Sequence, residues 1–131
     1  MKRHLLSALP LVVLLSGCQT WGPTWSEVTG EKYNRTIMFR QPALIERIGD
    51  GSPQTREPNI KIEPGNYRIV VQGIAPQPRP GGGNLEVFQL DAKPCIRYYL
   101  NSQYRNLIDP EFTVVIDFEE TIAGCKIVPA K

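Results

Sequence analysis

The sequence predicts an all-β fold, a small antiparallel β-sandwich forming one domain. Three observations carry this. Twelve Pro and eleven Gly are scattered through the 131 residues, which argues against a helical bundle and for short elements joined by turns. The apolar runs between them are short and rich in Val, Ile, Tyr and Phe, which suit a pleated, half-buried surface. The clearest of them alternates with period two: in Tyr67 to Gln72, Tyr67, Ile69 and Val71 point one way and Arg68, Val70 and Gln72 the other. With 41% hydrophobic and 21% charged residues, the chain has the composition of a globular domain and lacks the length for a second core.

Residues 19–34 carry Gly22, Pro23 and Gly30 with little apolar periodicity and read as a tether, so the domain is expected over 35–131. Fully extended, such a tether reaches about 50–60 Å. A first strand is expected at Thr36 to Phe39 and a second at Ala43 to Ile48, after Pro42. Asp50-Gly51-Ser52-Pro53 signals a turn. Ile60-Lys61-Ile62 alternates, and Pro64-Gly65 supplies a second turn before the Tyr67 strand. Leu85 to Leu90, Ile96 to Leu100, Thr113 to Phe118 and Lys126 to Val128 complete the set. Leu100, Tyr104, Leu107 and Ile108 fall at helical spacing, but Tyr98-Tyr99 favours a strand that runs on into a loop over 101–108.

The start of the sequence is an address. Lys2 and Arg3 precede an apolar run from Leu5 to Leu15, shorter than the roughly 20 residues that span a bilayer but suited to a signal peptide. Leu15-Ser16-Gly17-Cys18 follows and resembles the lipobox of bacterial lipoproteins. The resemblance implies cleavage before Cys18, a diacylglyceryl thioether on its sulfur and acylation of the new amino group. The membrane is then a partner, reached through the lipid on Cys18. Gln19 stands where Asp would mark inner-membrane retention in the enterobacterial sorting scheme, so the periplasmic leaflet of the outer membrane is the expected home. Trp21 is expected at headgroup level; for Trp25, headgroup contact and packing on the domain edge both stay open.

Removing residues 1–17 leaves 114 residues with 13 basic and 13 acidic side chains, since Lys2 and Arg3 leave with the signal. A neutral domain exerts no general pull on a phosphate backbone, so no nucleic-acid partner is expected. The single His, His4, leaves too, and with it the commonest general base and metal ligand. With Cys18 lipidated, Cys95 and Cys125 remain as an even pair in an oxidising compartment, where a structural disulfide is expected. A redox role lacks the Cys-X-X-Cys spacing.

Two further resemblances concern the mature chain. Glu63-Pro64-Gly65-Asn66-Tyr67-Arg68-Ile69-Val70 resembles a hairpin common in immunoglobulin-like and transthyretin-like sandwiches. Pro94-Cys95, Arg97-Tyr98-Tyr99 and Ile122-Ala123-Gly124-Cys125 are similar to a pattern in small proteobacterial envelope lipoproteins. That second resemblance brings no activity, and it supports pairing Cys95 with Cys125.

Chemistry-bearing patterns are few, and neither a catalytic residue, a metal nor a cofactor is expected. Asp117, Glu119 and Glu120 form one acidic cluster and Asp109 with Glu111 another. Paired carboxylates run glycoside hydrolysis, which would make the chain a carbohydrate-active enzyme or binding module, but charged turns explain them more simply. No calcium-loop pattern occurs, the serines lack a His partner, and Gly81-Gly82-Gly83 is not followed by Gly-Lys-Ser/Thr. Ala75 to Gly83 reads either as a polyproline-like recognition loop with Arg79 at its tip or as a permissive hairpin loop. Arg97 and Tyr99 share a strand face with Tyr104 beyond, which has the composition of an interface hot spot and equally that of a solvated sheet face. The functional expectation is a non-enzymatic envelope lipoprotein working through contact with a protein or with peptidoglycan.

Overall fold

The computed structural model describes residues 22–51, 58–77 and 80–128. Among them are eight strands and no helix: β1 (Ser26–Thr29), β2 (Arg40–Gln41), β3 (Ala43–Ile48), β4 (Ile60–Ile62), β5 (Gly65–Gly73), β6 (Leu85–Ala92), β7 (Ile96–Tyr104) and β8 (Phe112–Thr121). They form two sheets. In the first, β8 pairs antiparallel with one edge of β7, while the other edge takes β1 and β2, and β4 lies outside β1. In the second, β3, β5 and β6 pair antiparallel. The β1–β7 pair is parallel, with Val28 opposite Tyr98.

The inner faces make one core. The first sheet contributes Val28, Ile60, Ile62, Tyr98, Leu100, Tyr104, Phe112 and Val114, and the second Ala43, Ile69, Val71, Leu90 and Ala92. The alternation of β5 holds: Ile69 and Val71 are fully buried and Arg68 is exposed. Pro42 sits where the chain leaves β2 in one sheet for β3 in the other, a position that suits a residue with no ladder donor. The Ala43 amide then bonds the Gly30 carbonyl at 3.1 Å. A side chain at Gly30 would overlap the Ala43 carbonyl, so only glycine fits this crossing.

The sandwich has two distinct ends. At one lie the 22–25 segment, the Glu63-Pro64 turn, the Lys93–Cys95 turn and residues 122–128. The Cys95–Cys125 disulfide closes this end, with 5.4 Å between its Cα atoms. Cys95 itself has a φ of 62°, a left-handed conformation that costs a non-glycine residue about 1–2 kcal/mol. Backbone bonds from the Cys95 amide to the Trp25 carbonyl and from the Ile122 amide to the Cys95 carbonyl, both 2.9 Å, hold it there. At the other end lie residues 74–77, 80–84 and 105–111, with the Asn84 side-chain amide donating to the Pro110 carbonyl at 3.1 Å.

Several expectations need correction. The tether expected over 19–34 contains β1, whose four residues are all buried, so the domain begins before residue 35. Thr36 to Phe39 is no strand: it forms turns on the surface, with Met38 exposed and Phe39 at a φ of 61°. Lys126 to Val128 forms no strand either, although the Lys126 amide bonds the Pro23 carbonyl at 2.9 Å. The helical spacing around Leu100 resolves as β7 continuing to Tyr104 and then bending. The Asn106 side chain accepts from the amides of Ile108 and Asp109 at 2.9 and 2.7 Å, local bonds that replace a helical turn. Trp25 packs on the domain, its ring 4.7 Å from the Lys61 ammonium. Trp21, like the whole signal segment, lies outside the described residues.

Candidate functional site

Strand parity decides which face of the first sheet each side chain of β7 lies on. Arg97, Tyr99, Asn101 and Gln103 project outward, and Tyr98, Leu100, Ser102 and Tyr104 project inward. Tyr104 therefore does not extend the Arg97–Tyr99 face, as the sequence suggested. Its ring is 2% exposed and packs 5.5 Å from that of Phe112. Five positions separate it from Tyr99, an odd number, so the pleat turns the two to opposite sides.

β8 carries a bulge beside this face. Tyr99 pairs with Phe118 and Leu100 with Ile116, leaving Asp117 as the additional residue. A bulge re-aims a side chain, and this one directs Asp117 at the segment over 30–39, which straps across the outer face of the first sheet. The Asp117 carboxylate takes the Asn34 amide at 2.7 Å, the Asn101 side-chain amide at 3.1 Å and the Arg40 guanidinium at 3.1 Å. Arg40 also donates to the Gln103 side chain at 2.8 Å. Asn101 is fully buried and donates to the Lys32 carbonyl at 2.6 Å, while its own Oδ1 has no partner.

A second network covers the end of the same face nearer the disulfide. Arg97 Nε donates to Glu27 at 2.6 Å and Nη1 to Glu120 at 3.3 Å. The Tyr99 hydroxyl donates to Glu120 at 2.5 Å, and Lys32 reaches the other Glu120 oxygen at 3.2 Å. The Trp25 indole N–H donates to Glu27 at 3.0 Å. Lys32 also stands 5.2 and 4.8 Å from the Tyr99 and Phe118 rings, which meet edge to face. The bond to Glu27 holds the Arg97 proton more tightly than usual despite burial. Burial, then the bond to Glu120, raises the Tyr99 hydroxyl above its ordinary value. That same bond, followed by Lys32, holds the Glu120 carboxyl below the ordinary carboxylate value.

This arrangement fastens a strap, and proton transfer is poorly served by it. Arg97 and Tyr99 are brought together, but with their polar groups bonded inside the chain. A glycosidase acid needs a carboxyl pushed upward, whereas Glu120 is pushed downward and Asp117 is bound to Arg40. Asp109 accepts from the Glu111 amide at 3.0 Å in the loop at the other end. The carboxylates therefore do not converge on one concave site. Among the described residues, no group of three or more His, Cys, Asp or Glu side chains is arranged to hold a metal. Open grooves lie at the loop end: one of about 250 Å³ lined by Glu86, Gln103 and Arg105, and one of about 330 Å³ lined by Leu44, Ile74 and Ala75.

Of the residues singled out by sequence, Cys95 and Cys125 are bonded as expected, while Cys18 and Arg79 lie outside the described residues. No local pattern marks Glu27, Lys32, Arg40 or Asn101 as network members. Their partners are far away along the chain, and only the strap and the strand pairing bring them together. No family model matches the chain, and comparisons with curated proteins and with solved structures find no match either.

Proposed function

We propose that the chain is a lipid-anchored envelope protein, tethered through Cys18 in the periplasmic leaflet of the outer membrane, that acts by contact with another envelope protein or with peptidoglycan. The observation that supports this most is the polarity of the sandwich. The chain leads toward Cys18 from the disulfide end, while the long loops and both grooves gather at the other. β7 alone, at about 3.3 Å per residue over its nine residues, separates the two ends by about 30 Å. A protein anchored at one end presents the other to the periplasm, and that end carries exposed Leu85 and Ile74 beside charged Glu86 and Arg105. Mixed apolar and charged loops suit recognition.

The test is cross-linking from the loop end in intact cells, with sedimentation of the purified protein on peptidoglycan sacculi. Adducts to one envelope protein, or co-sedimentation with sacculi, support the proposal. Release of soluble saccharide from the sacculi overturns it in favour of a carbohydrate-active enzyme.

A further inference from the structure

The disulfide end carries a surface of its own, and the length of chain leading to Cys18 limits what can face it. Between Cys18 and Pro23 lie five residue steps, which extend to about 17 Å at most. Pro23 does not stand alone there. Its carbonyl accepts from the Lys126 amide at 2.9 Å, the Thr24 hydroxyl donates to the Lys126 carbonyl, and the Val128 amide donates to the Thr24 hydroxyl at 3.3 Å. Residues 126–128 are thereby bound alongside the segment that leads to the lipid.

The side chains gathered there have the chemistry of a bilayer surface. Ile127 is 69% and Val128 54% exposed, beside exposed Lys126. Trp25 lies on the same end with the Lys61 ammonium over its ring, and Lys93 projects from the adjoining turn, paired with Asp91 at 2.5 Å. Indole rings, aliphatic side chains and lysines with apolar stems partition together at the headgroup layer. In a protein free in water, exposed Ile127 and Val128 beside three lysines gain nothing; held within about 17 Å of acyl chains, they have a place to go.

We infer that Pro23, Trp25, Lys61, Lys126, Ile127 and Val128 form a membrane-contacting face that seats the sandwich end-on against the leaflet holding its lipid. This rests on the lipoprotein reading above. Seating fixes the orientation of the domain, with the loop end directed away from the bilayer, where the lipid anchor alone would let it tumble.

The test uses the full acylated protein with Trp21→Phe, which leaves Trp25 as the single Trp of the two in the sequence. It is reconstituted into vesicles of phosphatidylethanolamine and phosphatidylglycerol, with or without bromines on the acyl carbons near the headgroup. Trp25 emission is expected to fall in the brominated vesicles, and the loss to vanish when Ile127→Glu and Val128→Glu are added without changing the melting temperature. Equal emission in both vesicle types, from protein that floats with them and carries lipid by mass, overturns the seating and leaves the anchor standing. Quenching that survives the double substitution overturns it too, since another surface then makes the contact. Absence of lipid from the mature protein overturns the anchor and the seating together.

Discussion

Arg40 and Asp117 form an ion pair of 3.1 Å with side chains only 11% and 4% exposed, and this pair pins the end of the 30–39 strap to the bulge of β8. Two charges so far out of water are held by each other and by neighbouring amides. Removing one partner leaves the other desolvated, which typically costs about 3–5 kcal/mol.

Arg40→Met should therefore lower the unfolding free energy by about 3 kcal/mol, measured by urea denaturation. Asp117→Asn in the Arg40→Met background should cost much less than in the native chain, because no buried charge remains uncompensated. Additive losses would show that the pair is not coupled.

Reducing the disulfide should loosen the end it closes. Cys95 and Cys125 sit at the opposite end from residues 105–111. Reduction or Cys125→Ser should cost about 2–5 kcal/mol. Protease should then cut around 122–128 before the loop, whose Asx bonds and Asn84 contact are untouched. Alkylation mass shifts and melting with and without reductant provide the readout. Free thiols in periplasmic material, or first cleavage at 105–111, would contradict this.

Glu120 and Tyr99 should titrate in opposite directions. The Glu120 carboxyl ionises below its ordinary 4.5 in the folded chain, so its stabilising contribution is complete above 4.5 and is lost as pH falls through the folded value. The Tyr99 hydroxyl ionises above its ordinary 10.0, so its contribution is complete below 10.0 and fades as pH climbs through the folded value. Carboxyl shifts followed by NMR should place Glu120 below 4.5, and Tyr99→Phe should move it back upward. A Glu120 titration indifferent to Tyr99→Phe would break the proposed bond.

Gly73→Ala should be among the worst small substitutions in the chain. A methyl there would drive into the Tyr104 hydroxyl and the Phe112 ring, at the seam where β5 meets the facing sheet. Overpacking of this kind costs roughly 1–3 kcal/mol. Phe112→Leu in the same chain should restore part of the loss, seen as a partial recovery of melting temperature.

The parts of this fold that the sequence made legible are those written in local side-chain pattern. β5 follows from its period-two run, the main body of β6, β7 and β8 from short apolar runs between turns, and the Cys95–Cys125 bond from arithmetic on three cysteines. β1 escaped because Ser-Glu-Val-Thr has one apolar residue. Its Ser26 and Glu27 are buried by bonds to Lys93 and Arg97, partners no local pattern announces. Thr36-Ile37-Met38-Phe39 erred the other way, an apolar run spent on a surface strap fastened by Asn34 and Arg40. Tyr104 faces away from Tyr99 because an odd number of positions separates the two along one strand. The Arg97–Glu27–Glu120 network escaped for the same reason as β1: it belongs to tertiary pairing.

The lipid proposed on Cys18 is the point on which the proposed anchoring, orientation and contact function all depend. Cells labelled with a radioactive fatty acid, expressing either the native chain or Cys18→Ser, should be fractionated into membrane and soluble pools. A serine hydroxyl cannot form the thioether, and without several acyl chains, each worth about 0.8 kcal/mol per buried CH₂, the domain has no lasting hold on a bilayer. The native protein should carry label and pellet with outer membranes, and Cys18→Ser should be unlabelled and soluble. A Cys18→Ser protein that still carries labelled fatty acid and stays on the membrane would contradict the lipobox, and with it the function proposed here.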